Sequence, residues 1–217
     1  MAKLYTSNKD ESARLFKSDF LEMFTHVHWS VPIIIYLPVV AYALYATSQI
    51  PSLTSSSAVA LFIGGLAFWT ITEYTLHRWV FHYEPKSSWG KYLHFMMHGV
   101  HHDYPNDSKR LVMPPSVSIP LASFFFGLYW LVLGPLYAWP FFGGFMLGYI
   151  FYDEIHYATH HAPMKFGWWQ KVKHHHVLHH YHDPEKGFGV SSPLWDVVFG
   201  TLDPTEEKET AQAKVSR

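Results

Sequence analysis

No Asp, Glu, Lys or Arg interrupts the chain from Met23 to Thr72, a run of 50 residues, or from Leu111 to Tyr152, a run of 42. A bilayer core about 30 Å thick is crossed by about 20 helical residues. Each run is therefore too long for one crossing and long enough for two joined by a tight turn, which predicts two helical hairpins. In the first, one helix is expected from Trp29 to Thr47 and the other from Ala58 to about Phe81, joined by the polar turn Ser48 to Ser57 with Pro51 in it. In the second, the helices are expected at Ser116 to Leu133 and Phe141 to Tyr157, with Gly134, Pro135 and Pro140 in the turn. The pattern predicts an all-α integral membrane fold with four transmembrane helices. Buried core helices of a soluble protein would suit Pro32, Pro38 and the clustered aromatics, but not charge-free runs of this length.

All 16 Lys and Arg residues lie outside the two runs. Both hairpin turns are uncharged, so the basic residues fall on one side of the membrane, the cytoplasmic side by the positive-inside rule. Trp29, Trp69, Trp130 and Trp139 are placed to act as interfacial anchors. The first 22 residues are polar and lack the apolar stretch of a cleavable signal, which predicts a cytosolic, partly amphipathic lead-in. The segment after Asp203 has the composition of a disordered tail. The balance of 16 basic against 17 acidic residues gives no net charge with which to attract nucleic acid. The absence of cysteine excludes disulfides, thiolate metal sites and a cysteine nucleophile, so any metal must sit on nitrogen or oxygen.

Nitrogen is abundant. Fifteen of the 17 histidines fall in two blocks, His77 to His102 and His156 to His182, each beginning where a predicted hairpin ends. The chain leaves the first block, crosses the membrane twice and returns to the same face for the second, so both blocks can meet in one site. His98, His101, His102 and His176, His179, His180 each form His-x-x-His-His, which sets three imidazoles on one helical face; His156 and His160 form His-x-x-x-His, again on one face. His77 and His82, five apart, lie about 140° apart around an ideal helix. That pair therefore reaches two different metals or sits where the helix distorts on leaving the membrane. These ten are too many for one ion of four to six coordination and suit two ions. His26 and His28 lie near the first membrane entry and read as interfacial residues. His94, His161, His174, His175 and His182 neighbour the candidate ligands and read as supporting, substrate-contacting or solvated groups.

Neutral imidazole suits iron, zinc, copper and nickel alike, so ligand type does not choose the metal. A structural zinc site closes with four ligands and leaves ten unexplained. Two adjacent redox metals can deliver electrons to O2 and attack an unactivated C–H bond, chemistry that belongs to the metals while the protein positions the substrate. Glu73, four residues before His77, and Asp153, three before His156, are each placed to accept an N–H from a ligating ring; an ordinary helix-end charge is the equal alternative. A transporter or store for metal ions would instead need polar residues marking a path through the membrane. Apart from Glu73, near the cytoplasmic end of its helix, the predicted helices carry none that is charged.

Three stretches carry a resemblance beyond histidine spacing: EYTLHRWVFH (Glu73 to His82), HFMMHGVHHDYPNDSKRLVMPP (His94 to Pro115) and HHVLHHYHDPEKGFGVSSPLWDVVFGT (His175 to Thr201). Here the sequence resembles the fatty acid hydroxylase superfamily, and within it the fatty acid 2-hydroxylases of the sphingolipid pathway, from about Glu73 to Leu202. The resemblance implies one domain over residues 1–217. Its lead-in is 1–22, the hairpin regions are 23–72 and 111–155, a cytosolic helical cap spans 77–110 and 156–202 and holds a dimetal site, and the tail is 203–217. Carried over by position, the ligands are His77, His82, His98, His101, His102, His156, His160, His176, His179 and His180; Glu73, Asp153, His94, His161 and His175 are read from their places beside these as the supporting groups. The implied reaction inserts one oxygen atom at C2 of a long fatty acyl group, free or within a ceramide, using O2, two electrons and two iron ions, with zinc a possible occupant of purified protein. Other lipids, such as sterols, sphingoid bases and carotenoids, are substrates elsewhere in the superfamily. Many animal and fungal relatives carry a cytochrome b5 domain for which the 22 residues before the first run have no room. Electrons are then expected from a separate cytochrome b5 or ferredoxin-type partner on the cytoplasmic cap, at the endoplasmic reticulum or a bacterial inner membrane. The stretch Gly187 to Gly200 reads either as a lid or interfacial segment against the acyl channel or as packing of Phe188, Leu194, Trp195 and Phe199.

Overall fold

The computed structural model describes residues 4–215 and, among them, contains helices and no strand. In chain order these are α1 (Asp19–Met23), α2 (Val31–Ser48), α3 (Ser55–Leu76), a π-helical turn (His77–Phe81), α4 (Ser88–His94), a second π turn (Phe95–Gly99), α5 (Val100–Asp103), α6 (Pro115–His161), α7 (Gly167–Tyr181), α8 (Leu194–Phe199) and α9 (Pro204–Val215). The chain divides into two compact units. One comprises Arg14–Thr72 and Lys109–Glu154; the other comprises the residues up to Ala13, Glu73–Ser108 and everything from Ile155.

The first unit holds most of the apolar helical length. Three helical runs among the described residues are long and apolar enough to cross a membrane: Val31–Ser48, Ser55–Phe81 and Pro115–His161. Three such runs stand where four helices were expected because the third, Pro115–His161, holds two helical arms joined at Gly134. Gly134 interrupts it with φ 76° and ψ 168°, a backbone conformation open to glycine and outside the helical region. The two arms fold back on each other there. Trp130 meets Trp139 at 6.0 Å between ring centroids, Tyr129 meets Phe141 at 4.9 Å, and Phe125 meets Phe145 at 5.0 Å. Pro140, expected in the turn, lies inside the returning arm. Trp69 is buried against Phe145 and Tyr149 rather than serving as an interfacial anchor.

Helix α3 packs on the returning arm of α6 through glycine. A Cβ on Gly65 would stand 1.9 Å from the Phe141 carbonyl oxygen, and one on Gly144 would stand 1.8 Å from the Phe62 carbonyl oxygen. The backbones approach where neither helix has a side chain, the usual way for helices to associate in lipid, where no hydrophobic effect draws them together. Gly144→Leu is therefore expected to force the helices apart at a cost of about 1–3 kcal/mol or more. A lowered unfolding temperature and loss of the monodisperse peak after extraction would show it; unchanged behaviour of this variant would rule out the close approach.

The same unit carries a polar lock ahead of α2. Glu22 accepts hydrogen bonds from the backbone N–H groups of Leu15 (3.0 Å) and Phe16 (2.7 Å) and pairs with Arg110 at 2.6 Å. Burial pushes the Glu22 carboxyl up, but these donors and the Arg110 charge outweigh it and hold it below the usual carboxylate value. Its contribution to stability is present above the unfolded pKa of about 4.3 and is lost as pH falls through the lower folded value. Glu22→Gln should lower the unfolding temperature at neutral pH, and the gap to wild type should close in acid. A gap independent of pH would contradict this. Of the two histidines read as interfacial, His26 lies 3.1 Å from Arg110 and His28 bonds Ser30.

In the second unit the start of the lead-in is strapped down. Thr6 and Ser7 N–H groups bond the Asp103 carbonyl at 2.8 and 3.0 Å, and the Tyr181 hydroxyl donates to Asn8 at 2.6 Å. The segment after Asp203 is helical through Val215, not disordered. Its composition is that of a solvated tail, but Asp203 accepts from the Thr205 N–H at its start, and Glu206 and Glu209 reach His175 and His174 on α7. Ser216 and Arg217 lie outside the described residues.

Candidate metal centre

The ten candidate ligands come together in the second unit as two groups of five: His77, His82, His98, His102 and His179, and His101, His156, His160, His176 and His180. Within each group one nitrogen per ring lies within 4.8 Å of the others. The groups are neighbours, with the His102 and His180 rings stacked at 4.4 Å.

The backbone explains the partition. His77 and His82 share a group because the helix is π-helical between them: the His82 N–H bonds the His77 carbonyl at 3.1 Å, an i to i+5 bond that brings residues five apart onto one face. Of the two readings of that spacing, the helix distortion is present, and both rings fall in one group. The His-x-x-His-His motifs divide in mirror fashion. His98 and His102, one turn apart, join the first group and His101 turns to the second; His176 and His180 join the second and His179 turns to the first. Each motif thus bridges both groups.

The nitrogen geometry fits a cation better than hydrogen bonds among rings. His98 Nε2 lies 3.1 Å from His77 Nε2, 3.1 Å from His82 Nε2 and 3.0 Å from His102 Nε2. A neutral imidazole nitrogen holds one hydrogen or one lone pair and cannot serve three partners. Two imidazole nitrogens bound at about 2.0–2.1 Å to one ion, at right angles, stand about 2.9 Å apart. The second group shows the same spacing, with His156 Nε2 2.9 Å from His101 Nε2 and His160 Nε2 2.9 Å from His176 Nε2. His179 Nε2 and both ring nitrogens of His180 are buried with no hydrogen-bond partner among the described residues. Unpartnered buried nitrogen is costly, and a metal ion would satisfy it.

Protonation points the same way. Burial first, and then the neighbouring imidazoles, hold His98, His101, His176, His179 and His180 well below the usual histidine pKa and His102 down at about 3. Neutral rings keep the lone pair that a metal requires. The tautomer of two rings is set by backbone carbonyls: His77 Nδ1–H donates to the Phe188 carbonyl at 2.6 Å, and His179 Nδ1–H donates to the Lys186 carbonyl at 2.6 Å. Both leave Nε2 facing the group.

Both carbonyls belong to the loop between α7 and α8, and two carboxylates hold that loop. Asp196 accepts from the N–H groups of Phe188 (2.9 Å) and Gly189 (2.7 Å), from Thr201 Oγ1 (2.7 Å) and from His175 Nε2 (3.1 Å). Glu73 accepts from the N–H groups of Val190 and Ser191, both at 2.7 Å, and from the Ser191 hydroxyl. Glu73, expected to act on a ligating ring, thus acts on the loop that carries the carbonyl facing His77. Asp153 lies in the other unit, where it takes the Met113 N–H at 3.4 Å.

His175 sits between Asp196 and Glu206 (2.6 Å). Burial opposes its charge, but the hydrogen bonds and charges of those two carboxylates win and raise it to about 9, which favours a charged ring with both nitrogens engaged by carboxylates. His161 stacks on Tyr157, His182 bonds Asp203 at 2.6 Å, and His94 lies in neither group. Sequence reasoning missed Asp196 and Glu206, and read Phe188 only as packing or as part of a lid. The available signal was Asp196 itself, the one charge in the apolar stretch from Pro193 to Phe199.

Residues 62–201 match the family model of the fatty acid hydroxylases. The chain is 41% identical over 203 residues to the dihydroceramide fatty acyl 2-hydroxylase FAH1 of Arabidopsis thaliana, a match covering 93% of this chain and 85% of that protein. It is 40% identical over 215 residues to the fatty acid 2-hydroxylase of Mus musculus, covering 89% of this chain and 57% of the mouse protein. Among solved structures it is similar to full-length scs7p, of which only the hydroxylase domain is visible, with a TM-score of 0.79 and 40% identity over 85% of this chain and 70% of that one.

Proposed function

The chain belongs to the fatty acid hydroxylase family, and from that premise we propose that it hydroxylates C2 of a long fatty acyl group, free or amide-linked in a ceramide. One C2 hydrogen is replaced by hydroxyl while O2, two electrons and two protons are consumed and one water is released. The observation that carries this reading is the pair of adjacent five-imidazole groups. In this reading all ten histidines are ligands, five to each of two ions that in the cell are iron, with zinc able to take the same nitrogen set. The two ions supply the electron transfer to O2 and the oxidising power for the C–H bond.

The protein's part is placement and exclusion. The loop carbonyls of Lys186 and Phe188 orient His179 and His77, and the buried Phe188 ring packs on His77, His82 and His179 at 5.9, 5.4 and 5.8 Å, keeping water from the first group. The two arms of α6 each cross the bilayer, making four crossings in all. The histidine-bearing helices form a cap on the cytoplasmic side, at the endoplasmic reticulum in a eukaryote or the inner membrane in a bacterium. A cytochrome b5 or ferredoxin-type protein delivers the electrons there.

The test supplies iron-loaded protein in bilayers with a reductant, isotopically heavy O2 and a long-chain ceramide or fatty acid. One heavy oxygen located at C2 by mass spectrometric fragmentation is the expected result. A hydroxyl at another carbon, or acceptance of only a sterol or sphingoid base, would overturn the assignment.

A further inference from the structure

Helix α8 has two faces with opposite demands. Inward it presents Asp196, fully buried and bonded to Phe188, Gly189, Thr201 and His175. Outward, Leu194, Val197 and Val198, spaced i, i+3 and i+4 on one side, are 52%, 60% and 58% exposed. Three large aliphatic side chains on one short helix make an apolar patch that water does not favour.

We infer that α8 is an interfacial helix whose outer edge of Leu194, Val197 and Val198 lies in the lipid at the bilayer surface while its inner face holds the loop that positions the metal centre. This rests on the reading of the chain as a membrane protein. The occupant is lipid because α8 stacks on the end of a run, Ser55–Phe81, that is long and apolar enough to cross a membrane. The Phe199 ring stacks on Tyr74, in the last turn of α3, at 5.2 Å and 17°, and the Tyr74 hydroxyl lies 2.9 Å from Thr201 Oγ1. The next turn of the same run exposes Trp79 and Val80. The Arg78 guanidinium lies 5.9 and 5.5 Å from the Tyr74 and Trp79 ring centres and donates to the Tyr74 hydroxyl, placing a cation with aromatics as at a membrane interface. Between Pro193 and Gly200 the one charge is Asp196, and it points inward, so the outer edge offers a soluble protein partner nothing polar to pair with.

Because the chain has no cysteine, single reporters are clean. Val197→Cys, with Val198→Cys as a second site, would carry an environment-sensitive fluorophore in full-length protein reconstituted into phosphatidylcholine nanodiscs. Spin-labelled lipids bearing the quencher near the headgroup or near the chain end report depth, and iodide reports water. Metal content checks that each variant is folded. Glu185→Cys serves as an aqueous control and Ile63→Cys, on the 58% exposed side of α3, as a membrane control. The α8 labels should be quenched about twofold by the shallow lipid quencher, less by the deep one, and little by iodide, as for a helix buried about 5–10 Å. If the Ile63 label is quenched by lipid and the α8 labels are quenched by iodide as Glu185 is, the inference falls and the membrane reading stands. If no label senses lipid, the membrane reading falls with it. Protection of α8 that appears without lipid and grows with protein concentration would assign the patch to a second copy instead.

Discussion

His179→Ala is expected to abolish hydroxylation and to lower the bound metal from two ions per chain to about one. The His179 ring is buried, its Nδ1–H is committed to the Lys186 carbonyl, and its Nε2 faces the first group with no hydrogen-bond partner among the described residues. Alanine removes one of five nitrogens and leaves an apolar hole beside the other four. Loss of the partners that merely orient a ligand lowers metal affinity or activity by about 10–100-fold, so loss of a ligand should exceed about a hundredfold. Elemental analysis of purified protein and lipid analysis of an expressing host read the two consequences separately. The second group keeps its five rings, so its ion should remain. Retention of both ions with unchanged product would remove His179 from the site, and loss of both ions would show that the groups fill as one unit.

Asp196→Ala should cost about 3–5 kcal/mol of stability, because it strips a buried cation of a partner. The Asp196 carboxylate meets four donors, and His175, raised to about 9, depends on it together with Glu206. The effect should reach beyond folding. Without Asp196 the Phe188 and Gly189 N–H groups lose their acceptor, the Phe188 carbonyl drifts, and His77 loses the bond that aims its Nε2. The variant should therefore lose metal from the first group before the second. Asp196→Asn, which keeps the shape and some acceptors, should recover part of the stability and part of that metal. An unfolding temperature and metal content equal to wild type in the alanine variant would show that the carboxylate holds nothing.

The hairpins were legible in the sequence because lipid excludes charge: α2 and α3 begin and end within a few residues of their expected bounds. The clustering of the histidines was legible because each block follows a charge-free run long enough for two helices, which lets the blocks meet in one site. What sequence could not give was the division between the groups. It depends on whether the backbone is α- or π-helical between His77 and His82, and their five-residue spacing allowed either. Nor did it reveal that Glu73 would reach the loop at Val190 and Ser191, a contact 117 residues away in sequence. The tail after Asp203 misled because its polar composition describes solvated surface equally well whether the chain is ordered or not. Only the partners His174 and His175 on α7 distinguish the two.

The π turns make the site brittle to a particular kind of change. Each depends on one surplus residue in a helical turn, at His77–Phe81 and at Phe95–Gly99. If the same residues wound as ordinary α-helix, everything downstream would turn by about 100°. His82 in one case, or His98 and its two followers in the other, would then face away from its group of imidazoles. Loss of one residue between His77 and His82 would instead leave the pair four apart, on one face of an ordinary helix, so the phase survives a codon's deletion there and fails when the surplus residue stays and the turn relaxes.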